Sequence, residues 1–238
     1  MSAPVFYGDI SGSVPRLTGD EAHHAAVVRR ITVGERIVIS DGLGNAVCGP
    51  VAAVSRDQVT IAPESTVVEP SPVPRLVVVQ ALAKGDRGEL AVELLTEVGV
   101  DVILPWAASR CVVQLRGERG DKAIARWRAT ARAAAKQARR LRVPEVADVI
   151  ATRDVTELLA TAALPVVLHE SARVPLADLV VPDAGEVVVV VGPEGGITDE
   201  ELAAFGVPAV RLGPTVMRTS TAGAAACAAL LARTPRWA

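Results

Sequence analysis

The amino-acid sequence predicts an α/β protein in two parts, a small all-β module followed by a parallel sheet flanked by helices on both faces. Three observations predict it. Up to about residue 70, apolar runs of four to six residues are broken by Asp41-Gly42, Gly44-Asn45 and Gly49-Pro50, the punctuation of short strands joined by turns. After Arg75, valine-rich runs such as "LVVVQAL" and "EVVVVVG" alternate with stretches at helical spacing. Strands that read as near-continuous valine are buried on both faces, as in parallel sheets. Between the two textures lies "VEPSPVPR", Val68 to Arg75, with three prolines in eight residues, a stiff linker. The expected domains are therefore 1–70 and 75–238.

Each later element has its own reason. "LVVVQAL" is a buried strand. "DRGELAVELLTEVGV" carries Leu90, Glu93, Leu94 and Glu97 at helical spacing and ends at Gly99, a C-cap candidate. "VDVILPW" is the next strand. A long basic helix is expected from about Gly120 to Leu141, stopped by Pro144. On it Arg128, Arg132, Lys136 and Arg140 recur every four residues, beside a second stripe of Trp127, Ala131, Ala134 and Ala138. The apolar stripe suits the core. "LPVVLHE" and "EVVVVVG" are strands, "ITDEELAAF" a helix, "AVRLG" a strand and "STAGAAACAALLA" the last helix.

Half of the 238 residues are hydrophobic but only 3% are aromatic, so the core must be built from Val, Leu, Ile and Ala. The longest run of small and apolar residues, Ala222 to Ala232, falls short of the roughly 20 residues of a spanning helix. "MSAPVFYGDI" shows no basic-then-apolar secretory pattern. Cys48, Cys111 and Cys227 are odd in number and far apart, which fits neither a disulfide framework nor a metal site. A soluble cytoplasmic protein without metal is expected. Arg110 to Arg142 holds eleven Lys/Arg and two acidic residues, a local charge of +9 against −2 overall. A basic segment on an acidic body points to a polyanion partner, nucleic acid first; a solvated helix face is the plainer alternative.

The stretch "VVVVVGPEGGITDEE" carries the chemical question. Ligands of open parallel sheets sit beyond the C-terminal strand ends, where Gly192–Gly196 lies. Thr198 and Glu201 have capping-box spacing, so a helix starts just after the turn. The turn lacks the lysine of a phosphate-binding P-loop and does not match GxGxxG. An acidic, lysine-free turn suits a ligand without phosphate, such as S-adenosylmethionine, with its sulfonium and zwitterionic tail. From this turn alone, that reading and a plain strand-to-helix turn stay equally open. "VRLGPTVMRTSTAGAAACAALL" repeats the plan, with a strand, Leu212-Gly213-Pro214, an extended loop, and a helix whose first turns hold Ala, Gly and Cys. Two such loops after neighbouring strands would line a cleft with backbone groups, and the alanine-rich helix also suits tight packing in the core or against a second subunit.

"GPEGG" with "LGPTVMRTSTA" resembles the RsmE family, the 16S rRNA uridine N3-methyltransferases of the SPOUT superfamily. The similarity runs through nearly the whole chain. "HHAAVVRRITVGERIVISDG" places His24, Arg30, Gly34, Asp41 and Gly42 on family positions. "ELLTEVGVDVILPWAASRC" matches at Glu97, Gly99, Val100, Pro105, Arg110 and Cys111, "KQARRLRVPEV" at Gln137, Arg140 and Pro144, and "VVLHE" at His169. The sequence departs from the pattern at Leu94, Lys136 and Ser220, which replace a lysine and two glutamates.

The resemblance implies a SPOUT trefoil-knotted methyltransferase domain preceded by a PUA-like β-barrel that binds RNA, a homodimer, and S-adenosyl-L-methionine as cofactor. It implies donor contacts at Leu168, His169, Gly192, Pro193, Glu194, Gly195, Gly196, Leu212, Gly213, Val216, Met217, Arg218 and Ala222. It implies the small ribosomal subunit's 16S rRNA as partner, with Arg30, Arg110, Arg128, Arg132, Lys136, Arg139 and Arg140 as RNA-contact candidates. Arg218 is the catalytic candidate, stabilising a uridine anion, or else a residue that pairs with a carboxylate and holds its loop. His169 is a weaker candidate base, His24 a structural residue, and Glu194 an acceptor that organises its loop. Two other functions stay open: a SPOUT enzyme acting on another base or a ribose 2′-hydroxyl, and a non-catalytic RNA-binding or assembly factor of the same fold.

Overall fold

The computed structural model describes residues 3–112 and 117–237; Arg116, one of the basic residues counted above, lies outside them. Two compact units are present. One comprises Met1–Ser71 with Ala135–Val143, the other Pro72–Ala134 with Pro144–Ala238.

The first unit holds strands β1 (Val5–Tyr7), β2 (Arg16–Thr18), β3 (Arg36–Ser40), β4 (Asn45–Val54), β5 (Gln58–Ile61) and β6 (Ser65–Val68). Its strand order is β1-β3-β4-β5-β2, with β6 paired to β4. An antiparallel bridge between Asp9 and Arg16 brings β2 back beside the end of β1 and rounds the sheet into a small barrel. Phe6, Leu17, Ile37, Ile39, Val59 and Ile61 fill it. The β3–β4 turn is made by Asp41, whose carboxylate accepts from the backbone N–H of Leu43 at 2.7 Å and of Asn45 at 3.1 Å. This short-range bonding is why Asx residues mark turns.

Gly49-Pro50, expected as a turn, lies inside β4 instead. A Cβ at Gly49 would run into the Ala62 carbonyl oxygen, so this glycine permits close approach of two backbones rather than a reversal.

Helix α1 (Gly19–His23) continues into a π-helical turn (His24–Val28) that ends at Arg30 with φ 52°. Left-handed φ is strained for any residue with a Cβ. His24 packs beside Phe6, ring centroids 6.2 Å apart. Burial, then the charge of Lys136, pushes its pKa below the ordinary value, which supports the structural role.

The second unit holds strands β7 (Arg75–Ala81), β8 (Val102–Trp106), β9 (Glu145–Val146), β10 (Leu164–Leu168), β11 (Val174–Pro175), β12 (Glu186–Val191) and β13 (Ala209–Arg211). They form a seven-stranded sheet in the order β11-β13-β10-β12-β7-β8-β9. Every pairing is parallel.

Alternate residues of β12 feed two cores. Val187, Val189 and Val191 face one cluster with Val92, Leu95, Ala226 and Leu230. Val188 and Val190 face the other with Trp106, Val155, Leu159 and Phe205. Helices α2 (Arg87–Val98) and α6 (Thr219–Leu231) supply the first cluster, and α4 (Thr152–Thr161) and α5 (Asp199–Phe205) the second. The valine run is thus buried on both sides, as its composition requires. Gly99 caps α2 in the left-handed conformation at φ 106°, and Gly88 lies so close beneath Trp127 that a Cβ would sit 2.7 Å from the ring.

The basic helix α3 runs from Gly117 to Gln137, four residues short of the expected end. Pro144 is not what stops it. Arg140 N–H donates to the Ala135 carbonyl and Arg139 N–H to the Lys136 carbonyl, with Arg139 left-handed at φ 57°. These bonds form a Schellman cap with arginine where glycine is usual. Trp127, Ala131 and Ala134 are buried as expected, while Ala138, beyond the helix, is exposed.

Candidate functional site

A cavity of 430 Å³ opens at the C-terminal ends of the central strands, within the 300–1,000 Å³ usual for small-molecule sites. Three segments wall it. Leu168, His169 and Glu170 follow β10; Val191 to Ile197 follow β12; Arg211 to Arg218 (Pro214 excepted), with Thr219 and Ala222 of α6, follow β13. Arg87 at the start of α2 and Arg110 beyond β8 complete the lining. Every donor-contact residue expected from sequence borders this one cavity, as does the expected RNA residue Arg110.

Local chemistry explains each wall. The turn after β12 closes through a bond from Gly196 N–H to the Pro193 carbonyl at 2.9 Å, with Gly196 at φ 76°, where side chains are strained. Gly195 admits Arg110: a Cβ there would lie 3.0 Å from the Arg110 Cβ. In return Arg110 Nη1 donates to the Gly195 carbonyl at 3.2 Å. Glu194 accepts from the Lys84 backbone N–H and from Arg87 Nη1, both at 3.3 Å, so it organises its loop as expected.

The capping box of α5 is present, with Glu201 N–H donating to Thr198 Oγ1 at 3.1 Å and Thr198 N–H to Glu201 Oε2 at 3.0 Å. Glu201 does more than its spacing suggests. It is only 4% exposed. Its other oxygen accepts from Ser109 N–H at 2.8 Å, Ser109 Oγ at 2.9 Å and Thr152 Oγ1 at 3.2 Å. Burial raises its pKa, but these bonds outweigh burial and hold the carboxyl below the ordinary glutamate value. A buried carboxylate thereby anchors the residue next to Arg110.

At the β10 wall, Ser171 N–H donates to His169 Nδ1 at 3.3 Å and Ser171 Oγ lies 2.8 Å from the same nitrogen. Nδ1 is thus engaged within its own loop.

Arg87, Arg110, Arg211 and Arg218 border the cavity against Glu170 and Glu194. Sequence reasoning described the turn as poor in positive charge. The turn after β12 is, but the cavity is not: the end of β13 and the loop after it bring Arg211 and Arg218, and Arg87 and Arg110 arrive from distant segments. Arg218 is exposed and makes no side-chain ion pair among the described residues; the carboxylate-pairing alternative for it is not seen. The replaced family positions lie off the cavity lining. Ser220 is 3% exposed, Leu94 packs against the core, and Lys136 pairs with Glu21.

The expected RNA residues differ in what they hold. Arg128 donates to the Val146 carbonyl at 2.9 Å and pairs with Asp148 at 2.8 Å. Lys136 Nζ lies 3.1 Å from Glu21. Arg140 is half-buried, while Arg30, Arg132 and Arg139 are exposed. Among the described residues, no group of three or more His, Cys, Asp and Glu could hold a metal ion, and no helix is long and apolar enough to cross a membrane.

Residues 69–231 match the family described as RNA methyltransferase domain, and residues 17–64 match RNA methyltransferase PUA domain. The ribosomal RNA small subunit methyltransferase E of Mycobacterium tuberculosis is 45% identical over 247 aligned positions, covering 100% of this chain and 94% of the relative. This chain belongs to the ribosomal RNA small subunit methyltransferase E family. Solved structures agree across both domains. That of the family member from Neisseria gonorrhoeae, bound to S-adenosylmethionine, has 30% identity and a TM-score of 0.83 over 96% of this chain and 97% of its own. A Legionella pneumophila protein in complex with the same cofactor has 26% identity and a TM-score of 0.88, covering 98% and 99% of the two chains. The architecture of a methyltransferase family is therefore a PUA domain joined to a parallel sheet flanked by helices, with the cavity at the sheet's C-terminal edge.

Proposed function

We propose that this protein methylates N3 of a uridine in small-subunit ribosomal RNA, with S-adenosylmethionine as donor. The observation that carries the proposal is the cavity itself: three sequence-separated segments meet at adjacent strand ends, in a family whose Neisseria member was solved with this donor. The residues fit the group. Leu168, Leu212 and Met217 offer apolar contact to an adenine, the small residues Gly192, Gly213 and Ala222 leave room for it, and the carboxylate of Glu170 suits a cation. When bound, the donor supplies an electrophilic methyl group on its sulfonium.

N3 of uridine becomes nucleophilic only when its proton has left, and it is free only when the base is unpaired or extruded. The chain must therefore stabilise negative charge on the base at the cavity mouth. Arg218, exposed and without an ion-pair partner among the described residues, is our candidate. In this reading the C-terminal loops form the SPOUT trefoil knot, domain 75–238 carries the chemistry and domain 1–70 holds RNA. Arg30, Arg110, Arg128, Arg132, Lys136, Arg139 and Arg140 contact phosphates. Two copies pair through α6, whose small residues Thr221, Ala225 and Ala228 are only partly covered. The work is done in the cytoplasm.

The deciding experiment is mass spectrometry of small-subunit rRNA nucleosides from cells with and without the protein. One N3-methyluridine should disappear with the protein, and an unchanged nucleoside profile would remove the proposal. Arg218→Ala should bind the donor normally but lose turnover by ~10²-fold, the scale of losing one charge-stabilising donor; unchanged turnover at saturating donor and rRNA would take Arg218 out of catalysis.

A further inference from the structure

One polar side chain in the second unit has no evident reason to be there. Gln80 sits on β7 among valines, fully buried at the C-terminal end of the central strand pair. Its amide nitrogen donates to the Ala81 carbonyl at 3.2 Å and to Thr219 Oγ1 at 3.0 Å. Thr219 in turn donates its single hydroxyl proton to the Gly192 carbonyl at 2.8 Å. The amide cannot be reversed, because its oxygen would then face the Ala81 carbonyl and a hydroxyl whose proton is already committed. The price of this orientation is Gln80 Oε1, buried with no donor in reach. A leucine or methionine at this position would avoid that cost.

We propose that Gln80 is a positioning residue for the methyl-transfer site, acting through Thr219. Thr219 is the first residue of α6, directly after Arg218. Gly192 opens the turn after β12. The relay from Gln80 through Thr219 to Gly192 is thus a fixed strut between the two loops that face each other across the cavity. It sets the spacing of the donor-holding turn against the loop that ends in Arg218. Gly223, one turn along α6, belongs to the same arrangement. A Cβ there would lie 3.1 Å from Val191 Cγ2, 3.2 Å from Leu95 Cδ2 and 3.7 Å from Gln80 Oε1, so α6 can approach β7 closely enough for the strut to form only without a side chain. Nothing else on this face of the sheet needs an amide, since its neighbours are apolar.

This inference rests on the cavity holding S-adenosylmethionine, and its test separates the two. Binding of S-adenosylmethionine would be measured by calorimetry, with thermal melting in parallel, for the full chain and for Gln80→Met, Thr219→Val, Thr219→Ser and the Gln80→Met/Thr219→Val pair. Each apolar variant should weaken binding about tenfold, the effect of one hydrogen bond at its upper range. Thr219→Ser, which keeps the hydroxyl, should bind within about twofold of the parent on the same ground. The pair should be no weaker than Thr219→Val alone, because Gln80 acts only through that hydroxyl. Its melting midpoint should be equal to or above that of Thr219→Val, because the unsatisfied Gln80 carbonyl is gone while the loss at the Gly192 carbonyl is common to both. In turnover assays, KM for the donor should rise with the loss of binding. If the parent chain binds no donor, the functional reading itself falls. If the parent binds and Gln80→Met binds equally well, if the two losses multiply in the pair, or if affinity falls only as far as the melting midpoint does, the strut is overturned.

Discussion

Glu201→Gln is the sharpest test of how the site is held. The wild-type carboxylate accepts hydrogen bonds from Ser109 N–H, Ser109 Oγ, Thr152 Oγ1 and Thr198 N–H while only 4% exposed. Glutamine keeps one acceptor oxygen. If that oxygen stays with Ser109, the new amide nitrogen meets the Thr198 N–H, donor against donor, and the cap is lost at about 1 kcal/mol. The bonds that remain lose the charge that made each worth about 1.5–3 kcal/mol. The expected cost is ~2–4 kcal/mol, against the ~5–15 kcal/mol that holds a typical domain together. The pH dependence has a definite sign. The folded-state pKa of Glu201 is lowered, so its contribution is fully present above the unfolded value, about 4.3, and is lost as pH falls through the lower folded value. Urea unfolding at neutral pH and at several points below pH 5 would measure both effects. The variant should unfold at lower urea near neutrality, and the gap to wild type should narrow on acidification. An unchanged midpoint at neutral pH, or a gap that stays constant into acid, would refute the assignment of an ionised, hydrogen-bonded anchor.

Three other outcomes are expected. Gly195→Ala should push Arg110 off the turn, since the added methyl would sit 3.0 Å from the Arg110 Cβ; donor titration should show weaker binding, and full retention would mean that the turn adapts. Arg30→Gly should leave stability unchanged or raise it by up to ~1 kcal/mol, because relief of the left-handed φ is partly offset by glycine's larger unfolded-state entropy. The same change should weaken rRNA binding and flatten its log-salt slope by about one, whereas unaltered RNA affinity would remove Arg30 from the RNA surface. Lys136→Glu sets two carboxylates together where Lys136 and Glu21 now pair with side chains 22% and 17% exposed. It should cost ~2–3 kcal/mol, between the values for exposed and buried pairs, and a melting point equal to wild type would show that the pair carries no weight.

What could be seen in the sequence was whatever depends on neighbours in the chain. The valine runs required burial on both faces, and Val187 to Val191 is buried so. Gly99 and the Thr198/Glu201 spacing announced helix ends, and both caps formed. The failures share the opposite cause. Gly49 reads as a turn residue because its reason lies across the sheet at Ala62. The end of α3 was set at Pro144, but the chain stops it earlier with a left-handed arginine, a choice that composition does not reveal. Helix α4 is marked in sequence only by Val155 and Leu159 four residues apart, and its Asp154, bonded back to the Ala151 N–H, gives a short signal.

The same division runs through the site. The walls that follow β10, β12 and β13 are contiguous stretches of sequence, and all of them could be named in advance. The charge of the cavity was legible only in part: Arg110 and Arg218 could be named, whereas Arg87 enters after β7, a segment the sequence does not tie to the cavity. The anchors could not be named, because Ser109 lies 92 residues from Glu201 and Gln80 lies 139 residues from Thr219. A turn read by itself as acidic and suited to a cation therefore faces an arginine-bordered mouth. The two meet directly at Glu194, whose carboxylate accepts from Arg87 Nη1 at 3.3 Å, so the charge of the turn is balanced by a residue that no reading of the turn alone could supply.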